Sequence, residues 1–165
     1  MDFYRTLAAL ALPADAIAPG APGAIEPGVE GEDLSPVFEA PAGGTDGVGA
    51  ALGLKSAAYS QMARCPASGT LGPESACNNV KRLNIGYMGL SVRVDDWRYT
   101  AWTKFNGTLN RADFNTILGE ELYDHRGDTN TDFDAFENVN VVSDPKNAAM
   151  RSTLLGLLRA KFERK

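Results

Sequence analysis

Apolar and polar residues alternate from Met88 to Val94 and again from Trp97 to Ala101, on either side of Asp95-Asp96, in "YMGLSVRVDDWRYTAW". Strict alternation over this length is the signature of half-buried strands. Met88, Leu90, Val92 and Val94 share one face of a first strand, and Trp97, Tyr99, Ala101 and Phe105 continue that face on a second. With Asp95-Asp96 at the tip, the pattern predicts a hairpin pairing Val94 with Trp97, Val92 with Tyr99 and Leu90 with Ala101. Such aromatic and β-branched cross-strand pairs each contribute roughly 0.2–1 kcal/mol. On the opposite face the same register sets Gly89 against Trp102, whose ring can cover the bare backbone. It also sets Ser91 against Thr100, and Arg93 against Arg98. A two- or four-residue loop at the tip gives this same register and an odd-length loop would break it, while Asp-Asp is a weaker turn signal than Asn-Gly.

Helical spacing governs both ends of the chain. Phe3, Leu7 and Leu10, with Tyr4 and Ala11, predict a short helix that Pro13 terminates. A helix this short is marginal alone in water, so its apolar stripe needs a partner. Met150, Leu154, Leu155, Leu158 and Phe162 predict a second helix running through Lys165, opened by Asp144 as N-cap and Pro145 at the first helical position. Gly156 weakens it by about 1 kcal/mol relative to Ala. Between these ends, "AAYSQ" (Ala57 to Gln61) and "LGEELY" (Leu118 to Tyr123) read as further strands. The expected fold class is α+β: an antiparallel sheet of three to four strands packed on a C-terminal helix.

Gly and Pro crowd the segment from Pro13 to Ala50. Structureless loops beyond about 12–15 residues are uncommon inside compact domains. This segment therefore reads as a linker or as a ribbon laid on a surface that the chain does not supply. Three regions are expected: residues 1–12 as a helix, 13–56 as a Gly/Pro-rich connection, and 57–165 as the sheet-and-helix unit.

Composition narrows the function classes. The formal charge of −5 over 165 residues gives no basic footprint for nucleic acid. No apolar run approaches the ~18 residues of a membrane span, and "MDFYRTLAAL" lacks the charged and apolar regions of a secretory signal. His125 is the only histidine, with no serine elbow or cysteine beside it. It reads as a loop imidazole bonded to a neighbouring carboxylate or carbonyl, since a base needs a nucleophile within reach. The acidic residues Asp124, Asp128, Asp132, Asp134 and Glu137 invite comparison with a calcium loop. Aligning Asp128, Asn130 and Asp132 on an EF-hand puts Phe133 at the glycine position and Val139 at the glutamate position, so the pattern fails at both.

Cys65 and Cys77 enclose a Gly/Pro-containing loop with no zinc-like ligand set. They are free thiols in a reducing compartment and a disulfide candidate in an oxidising one. Asn106-Gly107-Thr108 is an N-glycosylation acceptor triplet at a strand end. Arg93 and Arg98, on one face of the hairpin, require anions. Asp95, Asp96, Glu120, Glu121 and Asp124 are the nearby candidates for an internal network. A carboxylate from another domain and a sulfated or carboxylated sugar are the other readings.

Several stretches, in order, resemble the C-terminal region of formylglycine-dependent, alkaline-phosphatase-like sulfatases, most closely the iduronate-2-sulfatase type. They are "MDFYRTLAALAL", "EGEDLSPVF", "AAYSQMAR", "YMGLSVRVDDWRYTAW" and "GEELYDHRGDTNTDFDAFENVNV". The resemblance runs from Met1 to Lys165, and its hairpin and "ELYDH" motifs are the specific ones. The chain departs from it at "GL" before Ser91 and in a Gly-rich stretch around Ala42 to Gly53. It implies the C-terminal subdomain of a larger α/β enzyme that hydrolyses sulfate esters of sugars such as glycosaminoglycans, in a lysosomal or secreted setting.

It also implies a nucleophilic formylglycine and a calcium ion that stabilises charge on the sulfate oxygens. The converted residue sits in Cys-x-Pro-x-Arg. Cys65 is followed by Pro66-Ala67-Ser68-Gly69 and Cys77 by Asn78-Asn79-Val80-Lys81, so neither matches. No catalytic residue and no metal ligand is therefore expected here. Both cofactors would belong to an N-terminal catalytic domain, in the same or a separate chain, which is the expected partner. A non-catalytic binding or interaction module derived from a sulfatase is the alternative reading.

Overall fold

The computed structural model describes residues 3–18, 31–39, 55–65, 77, 80–129 and 135–163. The chain divides between Ser56 and Ala57 into two compact units. The parts of the Gly/Pro-rich segment at 19–30 and 40–54, and residues 130–134 of the acidic loop, lie outside the described residues.

In the first unit, α1 spans Phe3–Ala11 and α2 spans Ser35–Glu39. The short helix α2 interrupts what the composition alone predicts to be an irregular connection. Its start is legible afterwards: Asp33 Oδ1 accepts from Ser35 N at 2.8 Å, and Pro36 supplies a preset φ in the first turn. The buried hydroxyl of Thr6 accepts from Leu34 N at 3.0 Å and ties α1 to this turn. The predicted apolar stripe of α1 is on the surface: Phe3 is 76% exposed, Leu7 61% and Leu10 56%.

The second unit is a four-stranded antiparallel meander in the order β1-β2-β3-β4. Its strands are β1 (Ala58–Arg64), β2 (Tyr87–Val94), β3 (Trp97–Asn106) and β4 (Arg111–Asp124). The β2–β3 hairpin has the register its alternation demands, including Gly89↔Trp102, Val92↔Tyr99 and Arg93↔Arg98. A Cβ at Gly89 would lie 2.6 Å from the Trp102 ring, so the indole does lie over the bare glycine. Strand β1 runs past its expected end at Gln61 to Arg64, which pairs with Tyr87, and Cys65 follows in a disulfide.

Strand β4 starts seven residues before the expected Leu118, and the reason is a bulge. Its pairing with β3 jumps from Ile117 opposite Thr103 to Asp113 opposite Lys104. The Asp113 carboxylate holds the extra residues, accepting from Asn115 N at 3.0 Å and Thr116 Oγ1 at 2.8 Å. This irregularity breaks the alternation that would have revealed the strand. It also turns Phe114 into the core, where it is 2% exposed.

The last helix, α3, spans Ala148–Phe162 and stops short of Lys165. Asp144 caps a 3-10 turn at Pro145–Asn147, accepting from Lys146 N at 3.0 Å, and the turn feeds directly into α3. Leu154 and Leu158 are buried against Leu90, Val92, Tyr99, Ala101 and Leu122, with Met150, Leu155 and Phe162 at the margin. Tyr59 of β1 meets Phe162 edge-on at 6.1 Å. Arg159 closes the far end, donating to Phe114 O at 2.9 Å while lying over the Phe114 ring. Among the described residues no helix is long and apolar enough to cross a membrane.

Candidate functional site

The Arg93–Arg98 pair sits beside the β2–β3 tip, where the chain leaving β4 returns to it. His125 N donates to Asp96 O at 2.7 Å and so pins the end of β4 to the hairpin. The buried imidazole lies between two carboxylates: Nδ1 is 3.0 Å from Asp128 Oδ2 and Nε2 is 3.1 Å from Glu137 Oε1. Phe136 stacks on it at 5.9 Å. Arg98 Nε donates to the same Oε1 of Glu137. Glu137 thus neutralises the arginine and orients the histidine at once.

Arg93 donates from Nη1 to Val94 O at 2.9 Å. Burial, and then the positive charge of Arg98, lowers its guanidinium below the ordinary value, while Asp128, Glu137 and Asp95 act against that shift. Glu137 thus pairs with Arg98, and Asp128, Glu137 and Asp95 act on Arg93 through their charge. The anions come from within the unit, chiefly from the loop after β4, rather than from Glu120, Glu121 or Asp124 as proximity in sequence suggests. Asp124 is taken by Arg126, which grips it at 2.5–3.1 Å.

Glu120 and Glu121 point to opposite faces and have separate duties. Glu121 accepts from Trp102 Nε1 at 3.0 Å on the outer face. Glu120 lies on the core face, where it accepts from the buried Tyr99 hydroxyl at 2.5 Å and from Arg151 Nε at 2.8 Å, with a second bond from Arg151 Nη2. The Arg151 bond holds the Glu120 carboxyl below its usual value, helped by Tyr99 and opposed by burial. Burial pushes the Tyr99 phenol up, reinforced by Glu120. This triad, buried at Tyr99 and partly exposed at Arg151, is absent from the expectations drawn from the sequence. The signal was available, because alternation through "GEELY" puts Glu120 on the same face as Leu122, and a core carboxylate demands donors.

Cys65 and Cys77 are bonded to each other, with Cα atoms 5.4 Å apart, and close the loop after β1. Neither thiol is therefore available for conversion to an aldehyde, and the residues around them do not form the formylglycine motif. Among the described residues no group of three or more His, Cys, Asp or Glu is arranged to hold a metal ion. Of the suggested calcium-loop positions, Asn130 and Asp132 lie outside the described residues. Asn106 lies at the opposite end of β3 from the arginine pair, on the exposed β3–β4 turn. A cavity of about 630 Å³ opens beside it, lined by Leu83, Lys104, Leu109, Arg111 and Asp113 among others. No protein-family model and no curated protein matches the sequence.

Proposed function

We propose that this chain is the C-terminal portion of a sulfatase of the iduronate-2-sulfatase type, contributing scaffold rather than chemistry to the hydrolysis of sulfate esters on sugars. The observation that carries the reading is how the segments resembling that family interlock. The hairpin "YMGLSVRVDDWRYTAW" meets "ELYDH" along β3–β4, and "ENVN" folds back so that Glu137 takes Arg98 and Asn140 takes the β4 backbone. Motifs scattered in sequence thus make one another's partners.

The exposed stripe of α1 supports the second half of the proposal. A short amphipathic helix with Phe3, Leu7 and Leu10 on the surface calls for an apolar counterpart. A sulfatase catalytic domain is that counterpart. The chain itself has neither an activated nucleophile nor a cation site among its described residues, so no step of ester cleavage is assigned to it.

Two assays test this. Supplied with calcium and a fluorogenic aryl sulfate, the purified chain is expected to give no turnover above the blank. Sulfate release by this chain alone would overturn the proposal. Co-expressed with an iduronate-2-sulfatase-type catalytic region lacking its own C-terminal subdomain, it is expected to co-purify and raise the yield of soluble protein. The Leu7→Asp variant is expected to lose that association. Absence of association in the parent chain would count against the reading.

A further inference from the structure

We propose that Asn106 is a site of N-linked glycosylation, and this stands whether or not the sulfatase reading does. The acceptor triplet Asn106-Gly107-Thr108 supplies the residue types. Three structural observations turn a chance-prone triplet into a site.

The first is position. Asn106 ends β3, and Asn106, Thr108 and Leu109 are all exposed on the turn to β4. The second is the way the turn holds the amide. Asn106 Oδ1 accepts from Thr108 N at 3.1 Å and from Leu109 N at 3.0 Å, which leaves Nδ2 as the amide atom these bonds do not use. Gly107 makes this compact turn possible: a Cβ there would sit 2.2 Å from Arg82 O, so only glycine lets the turn settle on the 3-10 turn at Arg82–Asn84. The cavity beside Asn106, with Leu83 63% and Leu109 68% exposed on its walls, leaves room for a first sugar ring and gives it an apolar surface to cover.

The third observation is independent of the turn. The Cys65–Cys77 disulfide belongs to oxidising compartments, and the secretory pathway that forms such bonds is where N-glycans are attached to Asn-x-Ser/Thr. In the transfer the Asn106 Nδ2 attacks the anomeric carbon of a lipid diphosphate-linked oligosaccharide. A C–N bond forms, the C–O bond to the diphosphate breaks, and the lipid diphosphate leaves with the electron pair. Nδ2 gives up one proton to a base of the transferase.

The test is expression of the full chain behind a secretion leader in a eukaryotic host, with intact-mass and peptide analysis before and after peptide N-glycosidase F. The expected result is a glycan mass removed by the enzyme, leaving aspartate at position 106. Thr108→Ala is expected to abolish the modification and Thr108→Ser to retain it. Asn106→Gln should abolish it as well; because that change also removes the turn's acceptor, the threonine pair serves as the control for folding. Secreted parent chain with the Cys65–Cys77 bond intact and Asn106 unmodified would overturn the proposal.

Discussion

Glu120 shows how much one carboxylate can hold. It receives Tyr99 from the middle of the sheet and Arg151 from α3, so it joins the two layers through polar contacts at the margin of the core. Glu120→Ala leaves a fully buried phenol without its acceptor, and a cost of about 1–3 kcal/mol is expected in urea unfolding. The same triad sets a pH window. The Glu120 carboxyl is held low, chiefly by Arg151, so its contribution is complete above the ordinary carboxylate value of about 4.3 and fades as pH falls through the lowered one. The Tyr99 phenol is pushed up, chiefly by burial, so its contribution is complete below about 10 and fades as pH rises toward the raised value. The urea midpoint should therefore be flat between these limits and fall on both sides. Tyr99→Phe is expected to shrink the alkaline limb, leaving the part that Tyr123, also pushed up by burial, contributes, while the acid limb persists.

At the scale of elements, what could be read in advance followed from periodicity. Both strands of the hairpin alternate around Asp95-Asp96, so its register, its tip and even the Trp102 cover on Gly89 were legible. The start of β4 was not, because the bulge held by Asp113 breaks the period where a reader would look for it. Asp95 was a legible neighbour of Arg93, but the ion-pair partner of Arg98 was hidden for a different reason. Glu137 is thirty-nine residues from Arg98, and only the fold brings the loop after β4 back to the hairpin tip. Helix α3 was legible as a stripe, and its two central leucines carry the packing. Leu158→Ala is expected to cost about 2–5 kcal/mol, read from chemical unfolding. At the β3–β4 turn, Gly107→Ala would drive a methyl into the Arg82 carbonyl. About 1–3 kcal/mol is expected, with the largest chemical-shift changes at Arg82–Asn84 and little change in α3.

On the scale of the whole chain, the two units differ in what holds them. The second has a continuous core between sheet and helix, with the disulfide as an added constraint on the loop after β1. Reducing Cys65–Cys77 is expected to lower its stability by about 3 kcal/mol in the chain-entropy account, measured by unfolding with and without dithiothreitol. The first unit exposes its largest apolar side chains, and that was foreseeable only in part: the pattern revealed the stripe, while its exposure is a property of the fold.

One modest side chain has the widest reach. Asn140 places its amide along β4, accepting from Leu122 N at 2.9 Å and donating to Glu120 O at 3.1 Å, while Val141 N reaches Leu122 O at 2.9 Å. Together the two residues stand in for a neighbouring strand at Glu120 and Leu122 and occupy backbone groups that another chain would otherwise pair with there. Asn140→Ala would bare this stretch of the β4 edge, turning a sealed margin into an open template for pairing.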